Sequence, residues 1–414
     1  MTPNPLAIRT PKPVTSIRRL ITIVTALACA VGVLAPTAAL AAVVDGDFVG
    51  GVKLGDAPAL RASAPDLYVP SGMLTTIDGR ELWARDPEAR RAMASTTKIM
   101  TALVVLEHAG MNDEVVVDKI AKTVGESAMG LRVGERLTMS ELLKGVLVQS
   151  GNDAATMIAE KVGGTVANFV DLMNAKAKQL DLVNTHYVNP HGLDAKGHYT
   201  SAEDLTTLAR IAMSNPTFRS IVGVYRVKVR SDRYTHWLQS HNALLKTYKG
   251  AEGIKTGWTS DAGYCVVFAA KRGGIEFVGT VMGAASEAGR AQQAKKLLDW
   301  GFAHYKPVTV VTAGEPAGRV RVSDYMERTV AARTAEATTM PVFDLAGPVK
   351  RRIELKAGVP APVKRGDRLG TMTIYQGDRM IAQVPVVAVA DVPEPTVWQR
   401  IVFFFGRMWK GIFG

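Results

Sequence analysis

Cysteine is nearly missing from this chain: its 414 residues include two, Cys29 and Cys265. Cys29 falls in an N-terminal segment that reads as a leader, so Cys265 stands alone afterwards and no internal disulfide can staple the fold. A long apolar run is missing as well. The apolar core of the leader, residues 20–35, is shorter than the ~20 residues that a membrane span requires. No basic run is interleaved with aromatics in the manner of a strand-binding groove, which removes nucleic acid from the expected partners. The histidines, His108, His186, His191, His198, His236, His241 and His304, show no metal-ligand spacing, and neither a metal nor another cofactor is expected. Internal repeats and low-complexity tracts are absent after residue 41, which excludes a solenoid and a disordered tail.

What is present begins with export. Arg9, Lys12, Arg18 and Arg19 precede the apolar core, and small residues at Ala39-Leu40-Ala41 follow it, the pattern of a secretory signal peptide over residues 1–41. A retained membrane anchor is the alternative for the same residues. Cleavage would remove four basic residues and no acidic ones, taking the formal charge from +12 to +8. About 373 residues remain, long for one ordinary domain and enough for two. A basic protein outside the cytoplasm suits anionic lipid head groups or wall polymers.

Residues 42–307 mix strand and helix signals. Gly72-Met73-Leu74-Thr75-Thr76-Ile77-Asp78-Gly79-Arg80-Glu81-Leu82-Trp83 sets two apolar runs around an Asp-Gly turn, a hairpin signature. From Ser95 to His108 the pattern turns helical, with Ile99, Leu103 and Leu106 at core-facing spacing, and Thr138 is a polar start for a second helix through Met139-Ser140-Glu141-Leu142-Leu143. Strand signals return at Gly253-Ile254-Lys255-Thr256, Gly263-Tyr264-Cys265-Val266-Val267-Phe268 and Phe277-Val278-Gly279-Thr280-Val281, so helices packed on a sheet are expected. After Lys306-Pro307 come short alternating segments between Gly, Pro and charged turns, which predict a small all-β domain, a β-sandwich, over residues 308–392. Residues 395–414 form an amphipathic helix. Arg400, Arg407 and Lys410 share one side, and Val397, Trp398, Ile401, Phe404, Phe405, Met408, Trp409 and Ile412 the other, with Phe403 straying toward the charges. Such a helix lies in a membrane interface, or else packs back on its own domain.

Three short strings carry the chemistry. In Ala94-Ser95-Thr96-Thr97-Lys98 the lysine stands three residues after the serine, which on a helix puts both on one face with Cβ atoms roughly 5 to 6 Å apart. A serine hydroxyl needs a base within reach, and a lysine serves only if burial or a second cation lowers its pKa. Lys255 could be that cation, and a place at the start of a helix would favour negative charge developing on Ser95. Ser150-Gly151-Asn152 sits at the break between two helical patterns, where polar side chains can face a cleft; a helix C-cap followed by a new N-cap at Asn152 or Asp153 explains the same residues. Ser240-His241-Asn242 repeats the pattern as a decoy. Lys255-Thr256-Gly257 offers a cation, a hydroxyl and a close backbone approach on a strand edge.

Together and in this order the strings resemble the set shared by penicillin-binding proteins and class A β-lactamases. The segments Arg91-Ala92-Met93-Ala94-Ser95-Thr96-Thr97-Lys98-Ile99-Met100-Thr101-Ala102, Val148-Gln149-Ser150-Gly151-Asn152-Asp153-Ala154, Asn189-Pro190-His191-Gly192-Leu193-Asp194 and Glu252-Gly253-Ile254-Lys255-Thr256-Gly257 are similar to the low-molecular-weight D-alanyl-D-alanine carboxypeptidases, over nearly the whole chain after the leader. The resemblance implies an α/β (α+β) serine β-lactamase/transpeptidase-like domain, a small β domain and a membrane-anchoring C-terminal helix. It implies Ser95 as acylated nucleophile, Lys98 as its base and Ser150 as proton shuttle. Asn152 would hold the substrate amide, Lys255 and Thr256 the terminal carboxylate, and Arg290, by a looser match, would assist them. The oxyanion hole would be the amides of Ser95 and of Trp258, which follows Gly257 where many members have histidine; each donor is worth roughly 3 to 4 kcal/mol. Peptidoglycan stem peptides are the implied substrate, β-lactams the implied inhibitors, and the outer face of the cytoplasmic membrane the implied location. A β-lactamase is disfavoured by the missing Glu-x-x-Leu-Asn string. A D,D-endopeptidase of the same family and a catalytically idle wall-binding protein are the remaining alternatives.

Overall fold

The computed structural model describes residues 42–413, with side-chain surroundings to residue 406, so the predicted leader and its Cys29 lie outside the described residues. Seven antiparallel strands form the central sheet in the order β2-β1-β4-β3-β7-β6-β5. They are β1 (Phe48–Val49), β2 (Val52–Lys53), β3 (Ser71–Thr76), β4 (Glu81–Arg85), β5 (Ala251–Thr259), β6 (Gly263–Arg272) and β7 (Ile275–Ala284). The predicted hairpin is β3 and β4, and the three later strand signals are β5 to β7, with the lysine-threonine-glycine string on edge strand β5. Strand β6 shows how alternation builds the core. Cys265, Val267 and Ala269 belong to one apolar cluster, Val266, Phe268 and Ala270 to a second, because successive side chains leave opposite faces of a strand.

The first cluster is shared with α1 (Lys98–His108), α2 (Met139–Leu147), α3 (Asn152–Gly163), α4 (Val166–Gln179) and α5 (Ala202–Ser214). The second is closed by α6 (Glu287–His304), which supplies Ala294, Leu297 and Leu298. Helix α1 departs from the one-faced pattern: Lys98 to Val105 are all buried, so it runs through the middle of the helical layer rather than along its surface. Helix α2 starts as predicted, with Thr138 and Glu141 forming a reciprocal capping box.

Strand β8 (Tyr305–Val311) continues directly from α6 and pairs with β11 (Thr338–Phe343). A six-stranded sheet, β12-β14-β15-β10-β9-β13, follows, built from β9 (Pro316–Val322), β10 (Thr329–Thr334), β12 (Val349–Leu355), β13 (Gly358–Val359), β14 (Arg368–Gln376) and β15 (Arg379–Ala388). Its own core holds Val320, Leu369, Met372, Ile374, Val384 and Val386. Tyr305 and Phe343 point the other way, into the second cluster of the larger domain. The C-terminal helix α7 (Val397–Phe413) touches the β domain near Met326, and Phe403, the residue that strays from the apolar side, is half-buried there. Val397, Trp398, Phe404 and Phe405 remain exposed. Among the described residues no helix is long and apolar enough to cross a membrane.

Candidate active site

Ser95 lies in a 3₁₀ turn, Ala94–Thr97, and α1 begins only at Lys98. The tighter winding stacks residues i and i+3 almost in line, so the Ser95–Lys98 pair is closer than an α-helix would make it. Lys98 Nζ stands 2.8 Å from Ser95 Oγ, 2.7 Å from Asn152 Oδ1 and 2.7 Å from the carbonyl oxygen of His191. An ammonium group would donate to all three oxygens. A neutral amine keeps two donors, which Asn152 and His191 occupy, and turns its lone pair toward the Ser95 hydroxyl. Burial is complete and pushes the Lys98 amine well below the usual lysine range, with the positive charge of Lys255 adding to the shift.

The Pro190–Gly192 turn that supplies this carbonyl is pressed against the serine. A side chain on Gly192, whose φ is +95°, would start 2.0 Å from the Ala94 carbonyl oxygen, so only glycine fits. Thr101 fixes the same turn by donating to the Pro190 carbonyl at 2.6 Å.

Ser150 occupies the break between α2 and α3 in a left-handed conformation, φ +65°. Its hydroxyl accepts from Lys255 Nζ at 2.9 Å, and Lys255 donates also to the Thr256 carbonyl at 2.8 Å. Lys255 is fully buried next to Arg290, and burial first, then that guanidinium, lowers its pKa to about 7. The capping alternative for this segment does not hold. Helix α3 takes Gly151 as its N-cap without a side-chain cap, while Asn152 reaches Lys98 and the Gly125 carbonyl. Asp153 accepts the N–H groups of Met129, Gly130 and Leu131 at 2.8 to 3.0 Å. The decoy Ser240-His241-Asn242 is an ordinary turn in which Ser240 Oγ accepts from Asn242 N–H.

On β5, Gly257 faces the serine's backbone: a Cβ there would lie 2.8 Å from Ser95 N and 2.9 Å from Ala94 Cβ. Arg290 packs behind it and donates to the Gly257 carbonyl at 3.2 Å and to Glu287 at 2.9 Å. A cavity of about 460 Å³ opens over these groups and is lined by Ser95, Ser150, Thr256, Gly257, Trp258 and Arg290 together with Glu126, Ser127, His241, Tyr264 and Glu287. The structure thus brings all nine residues singled out from the sequence to one place: six line the cavity, and Lys98, Asn152 and Lys255 lie beneath it. Of the last five lining residues only His241 belongs to a string noticed in the sequence, the decoy Ser240-His241-Asn242, and none was expected at the site. Sequence offers a signal only for the elements behind them, such as Asp153 next to the Ser-Gly-Asn string. Among the described residues no acid, histidine or cysteine cluster could hold a metal.

A family profile described as "D-alanyl-D-alanine carboxypeptidase" matches residues 60–286, more than half of the chain, and a second, described as "Penicillin-binding protein 5, C-terminal domain", matches residues 305–394. The chain belongs to the D-alanyl-D-alanine carboxypeptidase family. D-alanyl-D-alanine carboxypeptidase DacF of Bacillus subtilis is 34% identical over 325 residues, 76% of this chain and 83% of that protein. Carboxypeptidase DacA of Escherichia coli is 30% identical over 359 residues, covering 81% and 86%. Among solved structures, carboxypeptidase DacD from Francisella tularensis superposes with a TM-score of 0.60 at 28% identity, covering 80% of this chain and 94% of its own. Penicillin binding protein 5 from Haemophilus influenzae gives 0.59 at 29% identity, with 80% and 99% covered. Membership in this carboxypeptidase family accounts for both domains, the α/β catalytic one and the all-β one that follows.

Proposed function

We propose that this enzyme is an exported serine-type D-alanyl-D-alanine carboxypeptidase that removes the terminal D-alanine from peptidoglycan stem pentapeptides through an ester on Ser95. The observation that carries the reading is the buried Lys98 amine, 2.8 Å from Ser95 Oγ and depressed in pKa. The substrate adds alongside edge strand β5, its terminal carboxylate on Lys255, Thr256 and Arg290, and its penultimate amide on Asn152.

Lys98 takes the Ser95 proton as Oγ attacks the carbonyl carbon, and the oxygen's developing charge meets the N–H groups of Ser95 and Trp258. As the C–N bond breaks, the leaving amine takes the Ser150 hydroxyl proton, which Lys255 replaces. Lys255 near neutrality suits this exchange, since an ammonium with a pKa of about 7 gives up and regains a proton readily. Water then attacks the ester, its proton returns through Ser150 to Lys255, and Lys98 gives back the Ser95 proton. Both lysines are restored. A β-lactam enters the same acylation step because its ring amide mimics the terminal dipeptide.

Intact-mass analysis with penicillin tests the assignment. The native protein gains one penicillin mass and Ser95→Ala gains none; an adduct on Ser95→Ala would refute the nucleophile. D-alanine release from a pentapeptide should fall by at least about 10⁴-fold in the same variant. The basic, aromatic-rich α7 supports a place on the outer face of the cytoplasmic membrane, held peripherally through residues 395–414.

A further inference from the structure

Glu126, on the rim of the active-site cavity, carries a carboxylate that the chemistry above does not use. The loop that bears it, residues 125–131, is tied to the start of α3 on either side of this position. Asn152 donates its side-chain N–H to the Gly125 carbonyl at 2.9 Å and its backbone N–H to the Ser127 carbonyl at 2.7 Å, and Asp153 holds the next amides from Met129 onward. Caught between the first two ties, Glu126 takes a φ of +65°, a left-handed backbone that side chains other than glycine enter only against steric resistance. The chain therefore holds a glutamate where a glycine would be at ease.

The other carboxylate lining the cavity, Glu287, is engaged by Arg290 at 2.9 Å. Glu126 forms no hydrogen bond or ion pair among the described residues, yet its charge reaches inside, where it partly offsets the depression of the Lys98 pKa. We infer that Glu126 determines substrate specificity by attracting a cationic amine on the side chain of the residue preceding the two D-alanines. The inference rests on the carboxypeptidase reading. Under it Asn152 holds the peptide amide, and the same side chain is bonded to Gly125, the neighbour of Glu126, so the upstream residue leaves the cavity past this rim. A carboxylate fixed there attracts an ammonium group without burying either charge and repels an acidic side chain.

The test compares two peptides, Nα-acetyl-L-lysyl-D-alanyl-D-alanine and its Nε-acetylated counterpart, with D-alanine release as the readout for the full-length protein. The native enzyme should prefer the free amine by about fivefold in kcat/KM at low ionic strength. That ratio should fall toward one in about 0.5 M NaCl and in Glu126→Gln, survive in part in Glu126→Asp, and invert in Glu126→Lys. Damage to the loop alone would slow both peptides alike and leave the ratio intact. A native ratio of one, or a ratio that Glu126→Gln does not change, overturns the inference while release from both peptides upholds the carboxypeptidase. No release from either peptide by the native enzyme overturns both.

Discussion

At the scale of single residues, the proposed mechanism divides the work of two buried lysines by charge. Lys98 must be neutral to accept a proton and Lys255 charged to hold a carboxylate, so kcat/KM should rise on the acid side as Lys98 loses its proton and fall above about pH 7 as Lys255 does. Bound carboxylate favours the charged form of Lys255, which should move the alkaline limb of kcat to higher pH than that of kcat/KM. Coincident alkaline limbs in the two profiles would remove Lys255 from carboxylate binding. The same lysine weakens the fold. Its folded pKa of about 7 lies below the unfolded value of about 10.4, so the unfolded chain binds more protons between those limits and stability climbs with pH across them. Lys255→Met should therefore lose activity yet melt a few degrees higher at pH 6, with the gain shrinking as pH approaches about 10.4. A calorimetric gain that stayed constant with pH would show that the ammonium is not the source of the penalty.

At the scale of elements, the site depends on how close β5 comes to the 3₁₀ turn. In Gly257→Ala the new methyl group meets Ser95 N and Met93 O at 2.8 and 3.1 Å, backbone atoms that cannot rotate aside. The strand must retreat and take the Trp258 amide with it. Penicillin acylation, followed by stopped-flow, should slow by about 10² to 10³ while the melting profile stays cooperative. Full-rate acylation would place the oxyanion elsewhere. Helices α4, α5 and α6 carried no expectation, but several other elements were readable beforehand: Thr138 announced α2, and the Asp-Gly turn announced β3 and β4. The 3₁₀ start of α1 was not, because a serine followed by two threonines and a lysine fits either winding and only the tertiary contacts of Ala94 select the tighter one.

At the scale of the whole molecule, the two domains share a wall. Phe343 from β11 is fully buried against Trp300 and Tyr305, with its ring 5.7 Å from that of Trp300, so the β domain is seated on α6. Among the described residues of helix α7, Val397, Trp398, Ile401, Val402, Phe404 and Phe405 stand in solvent. Deleting residues 395–414 should release the protein from anionic vesicles in a sedimentation assay and leave D-alanine release from a soluble peptide unchanged. Undiminished sedimentation would count against anchoring by this segment.

The amino-acid sequence by itself supplied the proposed reactive set, because the Ser95–Lys98 spacing and the two strings around Ser150 and Lys255 are local properties of the chain on which a family resemblance can rest. It indicated five of the seven central strands, β3 to β7, as well, through short apolar runs of the kind that strands buried on both faces show. Tertiary structure alone decided the charge states: neither lysine is unusual until folding strips its water and sets one cation beside another. It also decided that Glu126 reaches the cavity, since no periodicity links residue 126 to residue 152; only the hydrogen bonds that close the loop over α3 bring them together.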